Sequence, residues 1–127
     1  ANCGVGPSEM VDTILQIKKN QTNEIAIIAK GNCGIPSYQE GKIVYSGTPE
    51  IMSTYALMAL KAGAKIIGGC CGTTPLHIRA MRNSLEKAPI SESYSADEHF
   101  SLLGRPWQET DKGKKSRKRS NLRNRNS

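Results

Sequence analysis

Long apolar runs are missing from this 127-residue chain. None approaches the ~20 residues that a membrane-crossing helix needs, so no span is expected. The N-terminus has neither the basic stretch nor the apolar stretch of a secretory leader. Cysteine is also scarce: four residues are too few for a disulfide scaffold, and they sit in glycine-rich turns. That usage points to reduced thiols and, by default, to a cytoplasmic location. Aromatic residues make up only 5% of the chain, and none interleaves with the basic run Lys114-Lys115-Ser116-Arg117-Lys118-Arg119. Such a run binds phosphate without sequence preference, but it has no rings on which bases could stack. A nucleic-acid partner is therefore not the expected reading, and a solvated tail is.

Charge is unevenly placed within the formal net charge of +7. Residues 1–88 carry a net +3, residues 89–111 a net −4, and residues 112–127 a net +8 with no acid at all. The globular part is only mildly basic, and the basic character belongs to the tail. Three regions follow: a folded part over 1–88, a linker over 89–111 and a disordered basic tail over 112–127. Phe100, Leu102, Leu103 and Trp107 form a candidate docking segment inside the linker.

Strand, turn and helix signals alternate through the first region. Pro7-Ser8-Glu9 opens a helix with Ser8 as candidate N-cap and Met10, Val11, Ile14, Leu15 and Ile17 on its apolar face. Ile25 to Ala29 is a continuous apolar run, the pattern of a parallel strand covered on both faces. A glycine-containing loop with Pro36, Tyr38 and Tyr45 follows it. Thr48-Pro49-Glu50 supplies a cap, a proline at the first helical position and an acid in the first turn. Gly63 closes that helix in the manner of a C-cap glycine. Ala64 to Ile67 reads as the next strand, and Thr74-Pro75 opens the last helix, with Ile78, Met81 and Leu85 as its buried stripe. These are about two and a half βα units, too few to close a barrel of about 250 residues. With Ala as first residue and Cys3 following at once, the expectation is a C-terminal piece of a longer chain.

The chemistry lies in the thiols. Cys70 and Cys71 adjoin in Gly68-Gly69-Cys70-Cys71-Gly72-Thr73-Thr74-Pro75, where a strand hands over to a helix. Neighbouring thiols in such a turn are awkward as a disulfide and suited to one soft metal. Cys3, in Asn2-Cys3-Gly4, occupies a comparable loop, and carboxyl ends of strands are where α/β sheets bind ligands. The expected site is Zn2+ on Cys3, Cys70 and Cys71 with the fourth position open. Asn2 is either a substrate contact or a brace for its turn. His77, in the first turn of the last helix, is read as a capping or packing residue ahead of a fourth ligand, and Thr73 and Thr74 as capping residues.

The string GGCCGTTPLHI over residues 68–78 and NCGVGP over residues 2–7 resemble the signatures of the zinc-dependent homocysteine S-methyltransferase family. The resemblance implies an α/β fold, the C-terminal part of a (β/α)8 TIM barrel, with Cys3, Cys70 and Cys71 as zinc ligands. It implies homocysteine bound through sulfur, methionine as product, and a methyl donor that is an onium compound such as glycine betaine or a methylated folate or cobalamin, with a small betaine-like donor as the leading expectation. The missing N-terminal barrel portion or a second copy is then an expected partner. The family usually has a small residue such as Ala where this chain has Cys33, which makes Cys33 a candidate further ligand or a compact packed residue. Two other readings stand beside this one. One is a small four-cysteine zinc module that contacts nucleic acid through its tail, and the other is an inactive truncated product.

Overall fold

The computed structural model describes residues 1–4, 6–88 and 101–103. Its elements are β1 (Asn2–Cys3), α1 (Pro7–Asn20), β2 (Ile27–Gly31), β3 (Pro36–Gln39), β4 (Lys42–Tyr45), α2 (Pro49–Ala62), β5 (Ala64–Gly69) and α3 (Pro75–Lys87). β1, β2 and β5 form a parallel sheet in that order, so each new βα unit adds its strand beside the last. α2 packs against both α1 and α3, which places the helices in one layer. The chain is thus α/β, as expected.

The helix boundaries follow local chemistry. Thr48 caps α2, its Oγ1 accepting from Ile51 N–H at 3.2 Å. Gly63 ends α2 at φ 114°, a left-handed conformation that glycine adopts without Cβ strain. α1 differs from expectation by two positions: Gly6 rather than Ser8 is the N-cap, Pro7 is the first helical residue, and Ser8 is buried in the first turn. Proline at the first helical position fixes the start, so the cap falls on the residue before it.

β2 also starts later than the apolar run suggests. Ile25 and Ala26 lie exposed before it, and it continues through Lys30 and Gly31, which pair with Asn2 and Cys3 of β1. Its residues alternate between buried and exposed, so helices cover only one face. On the other face Ile28 is 44% exposed and Ile66 55%. The expectation of a strand covered on both faces is not met among the described residues. On the covered side Ala29, Ala56, Ala59, Ala62 and Ala64 are small enough to bring α2 close to the sheet. Met81 of α3 is buried and Leu85 partly so, whereas Ile78, expected in the same stripe, is about half exposed.

The segment after β2 is an antiparallel hairpin of β3 and β4, turning at Glu40 and Gly41 with φ 47° and 79°. Positive φ at both central residues fits a two-residue hairpin turn. Glu-Gly is not the usual Asn-Gly or Asp-Gly signal, so this stretch reads as loop in the sequence. Leu103, from the candidate docking segment, packs against the core, and Leu102 is exposed. Phe100, Trp107 and the basic tail lie outside the described residues. No helix among the described residues is long and apolar enough to cross a membrane.

Candidate metal centre

The three expected thiols come together at the carboxyl ends of the strands. Cys3 ends β1, and Cys70 and Cys71 follow β5 directly. Backbone bonds fix the double-cysteine turn to β2 and the residues after it: Cys70 N–H donates to Gly31 O at 2.8 Å, and Cys33 N–H to Cys71 O at 2.9 Å. Thr73 N–H closes the turn onto Cys70 O at 3.2 Å. The Sγ of Cys3 lies 4.0 Å from that of Cys71, and Cys71 Sγ lies 3.9 Å from Cys70 Sγ. All three sulfurs are within 4.8 Å of one another. A tetrahedral site with metal–sulfur bonds of ~2.3 Å has sulfur–sulfur edges of about 3.8 Å. The donor set therefore fits one soft metal ion in both chemistry and spacing.

Electrostatics favour the same occupant. Hydrogen bonding from Cys70, then from the Gly4 backbone and Cys71, holds the Cys3 thiol below its ordinary value. Cys71 moves the other way: hydrogen bonds with Cys70 and Cys3, followed by charge on both, push its thiol up. Adjacent thiols resist joint ionisation, and a divalent cation removes that resistance.

Cys33 lies outside this trio. It is 1% exposed, its Sγ–H donates to Gly47 O at 2.9 Å, and burial pushes its thiol pKa up. Asn2 is exposed on β1, at the edge of the sheet. The amide that touches a cluster thiol is that of Asn32, a buried residue just past β2. Asn32 Oδ1 accepts from Cys3 Sγ at 3.3 Å, and Nδ2 donates to Gly4 O at 2.7 Å. Sequence reasoning missed Asn32. The available signal was the repeated Asn-Cys-Gly at 2–4 and 32–34, which marks two loops of the same kind.

A homocysteine S-methyltransferase family profile matches residues 1–85. The chain belongs to this family. Among similar proteins are the methionine synthase of Mycobacterium tuberculosis, 32% identical over 79 residues, and that of Mycobacterium leprae, 33% identical over 79 residues. Each alignment covers 61% of this chain and 6% of the relative. The chain thus spans about 6% of the length of these curated relatives.

Around the thiols of this homocysteine S-methyltransferase family member, the loops are tied at Gly47. Its N–H donates to Cys33 O at 2.9 Å, and its carbonyl accepts from Cys33 Sγ. His77 adds a third bond. Its Nδ1 accepts from Thr74 N–H at 3.1 Å, which leaves the proton on Nε2 to donate to Gly47 O at 2.9 Å. His77 therefore caps α3 and joins it to the hairpin's exit, and both ring nitrogens are engaged within that frame. Tyr45, at the end of β4, packs against Gly72 beside Cys71. Burial first, then charge on and hydrogen bonding with Cys71, push the Tyr45 hydroxyl's pKa up. Gly47 carries no sequence signal of its own, because its contacts are made across the hairpin, whereas Tyr45 was noted in the sequence only as a member of the loop after β2.

Proposed function

We propose that this chain carries the zinc and homocysteine site of a methyltransferase that converts homocysteine to methionine. The observation that carries the reading is the trio of Cys3, Cys70 and Cys71 at tetrahedral-edge spacing, within residues that match the family. Zn2+ held by these three thiolates would stabilise the homocysteine sulfur as a thiolate at neutral pH, where a free thiol of pKa ~8.5 is mostly protonated.

The protein's own groups have separate tasks in this reading. Cys3 and Cys70 supply the less exposed thiolates and Cys71 the more exposed one. Asn32 fixes the direction of Cys3, and the Gly31 and Cys33 backbone fixes that of Cys70 and Cys71. In the transfer itself the homocysteine sulfur forms a bond to the methyl carbon, while the bond from that carbon to the donor breaks and its electron pair leaves with the donor. The donor is a small betaine-like onium compound in the leading reading. The methionine synthase relatives favour methionine as the product of the longer proteins.

The three parallel units with helices on one side are read as consecutive units of a (β/α)8 barrel, their bare face being barrel interior. The remaining barrel portion is the partner this reading requires. Calorimetric titration of the zinc-loaded protein with homocysteine and with homoserine tests the reading. Homocysteine is expected to bind with release of a proton, and homoserine, with oxygen in place of sulfur, is expected to show no binding. Equal binding of both would contradict a sulfur-directed site.

A further inference from the structure

Close contacts seat the β3–β4 hairpin on the loops that carry the thiols. A Cβ on Gly34 would fall 2.8 Å from Gly47 N, and one on Gly47 would fall 2.7 Å from Cys33 Sγ. The hairpin's entrance and exit are therefore pinched together against Cys33. At its far side a Cβ on Gly72 would lie 2.6 Å from Cδ2 and 2.8 Å from Cβ of Tyr45. Backbone without a side chain is what lets the Tyr45 ring reach the residue following Cys71. Tyr45 is itself half-buried and packs against the core, so the ring is held from both sides. Cys71 is the exposed member of the thiol trio, and Cys3 and Cys70 are half-buried. The ring therefore lies against the residue that follows Cys71.

We infer that Tyr45 is a positioning residue for the metal centre: its ring, seated on Gly72, sets the turn carrying Cys71, and its hydroxyl donates to the Cys71 thiolate. This rests on the proposed reading of the three thiols as a metal site. A hydrogen bond to a thiolate draws electron density from the sulfur and stabilises its charge. Partners of this kind orient a ligand and tune it, and their loss costs about 10–100-fold in metal affinity. The hairpin then has a function beyond connecting β2 to α2: it delivers one polar group to one ligand.

The test is Co2+ titration of the reduced 127-residue chain as wild type, Tyr45→Phe and Tyr45→Ala, read by absorption. The wild type is expected to take up one equivalent with a sulfur-to-cobalt charge-transfer band. Tyr45→Phe keeps the ring, so the tetrahedral ligand-field bands are expected to persist. Its charge-transfer band is expected at lower energy, because the sulfur gains electron density, with affinity about 10-fold weaker. Tyr45→Ala is expected to lose on the order of 100-fold, as both ring and donor are gone. A Tyr45→Phe spectrum and affinity that superimpose on wild type would overturn the inference and leave the metal site intact. Absence of the charge-transfer band in the wild type itself would overturn the metal site and the inference together.

Discussion

Cys3 sits at φ 64°, in the left-handed region where a side chain other than glycine meets its own backbone. Holding it there costs about 1–3 kcal/mol, which the surroundings must offset. Asn32 is the main candidate for that task, since it grips Cys3 Sγ with one end of its amide and Gly4 O with the other. Asn32→Ala is expected to weaken zinc binding about 10–100-fold, measured by competition with a chromophoric chelator. It also leaves Gly4 O without its partner and is expected to cost about 1–3 kcal/mol in urea unfolding. Cys33 behaves differently from the other thiols. Buried and with its pKa raised, it is expected to resist iodoacetamide in the folded metal-free protein, while Cys3, Cys70 and Cys71 react. Peptide mass spectrometry reads the four sites separately, and labelling of Cys33 at the rate of the others would contradict its place in the core.

Tyr55 links the helix layer to the strand ends on which the thiols depend. It is fully buried on α2, its hydroxyl accepting from Gly31 N–H at 3.0 Å and donating to Gly68 O at 3.2 Å. It therefore bridges β2 and β5 just before the double-cysteine turn. Burial pushes its pKa up to about 12. The neutral phenol is the form that the fold keeps, so the unfolded chain releases this proton first as pH rises. Stability from Tyr55 is then fully present below about pH 10 and lost as pH climbs toward about 12, a change of roughly 2–3 kcal/mol. Tyr55→Phe is expected to flatten this alkaline slope in denaturant titrations and to cost about 1–3 kcal/mol at neutral pH. An unchanged slope would contradict the assignment.

Much at this scale was legible in the sequence. Thr48-Pro49 and Gly63 bound α2, and Thr74-Pro75 opens α3, because capping chemistry is local. The hairpin was not legible, since its Glu40-Gly41 turn depends on a conformation that glutamate seldom signals. The late start of β2 was hidden for a related reason. Its limits are set by pairing with β1 and β5, and an apolar run shows nothing of register.

At the scale of the molecule, the covered and bare faces of the sheet differ sharply. Ile28 and Ile66 lie on a face that no described element covers, and among the described residues β1 and β5 are the edges of the sheet. Apolar surface of this kind next to unpaired strand edges favours association. The isolated chain is expected to bind the dye ANS and to self-associate in sedimentation, and Ile28→Glu with Ile66→Glu is expected to reduce both. A monomeric chain without dye binding would contradict the exposed face. The α/β alternation and the grouping of Cys3, Cys70 and Cys71 were legible in the sequence, because glycine-framed cysteines at strand ends carry both signals at once. The sequence could not show that the described helices cover only one face, since an apolar run such as Ile25 to Ala29 reads alike whether one or both faces are covered. Asn32 stayed hidden for a comparable reason: its contacts with Cys3 and Gly4 form only when loops distant in sequence meet.

The most direct measurement is zinc content per chain of the reduced protein, repeated with Cys3, Cys33, Cys70 and Cys71 changed singly to Ser. One zinc per chain, lost with Cys3→Ser, Cys70→Ser or Cys71→Ser and kept with Cys33→Ser, is the predicted result. Zinc kept at full affinity without Cys3, Cys70 or Cys71, or lost with Cys33→Ser in a protein that still folds, would contradict the three-thiol centre.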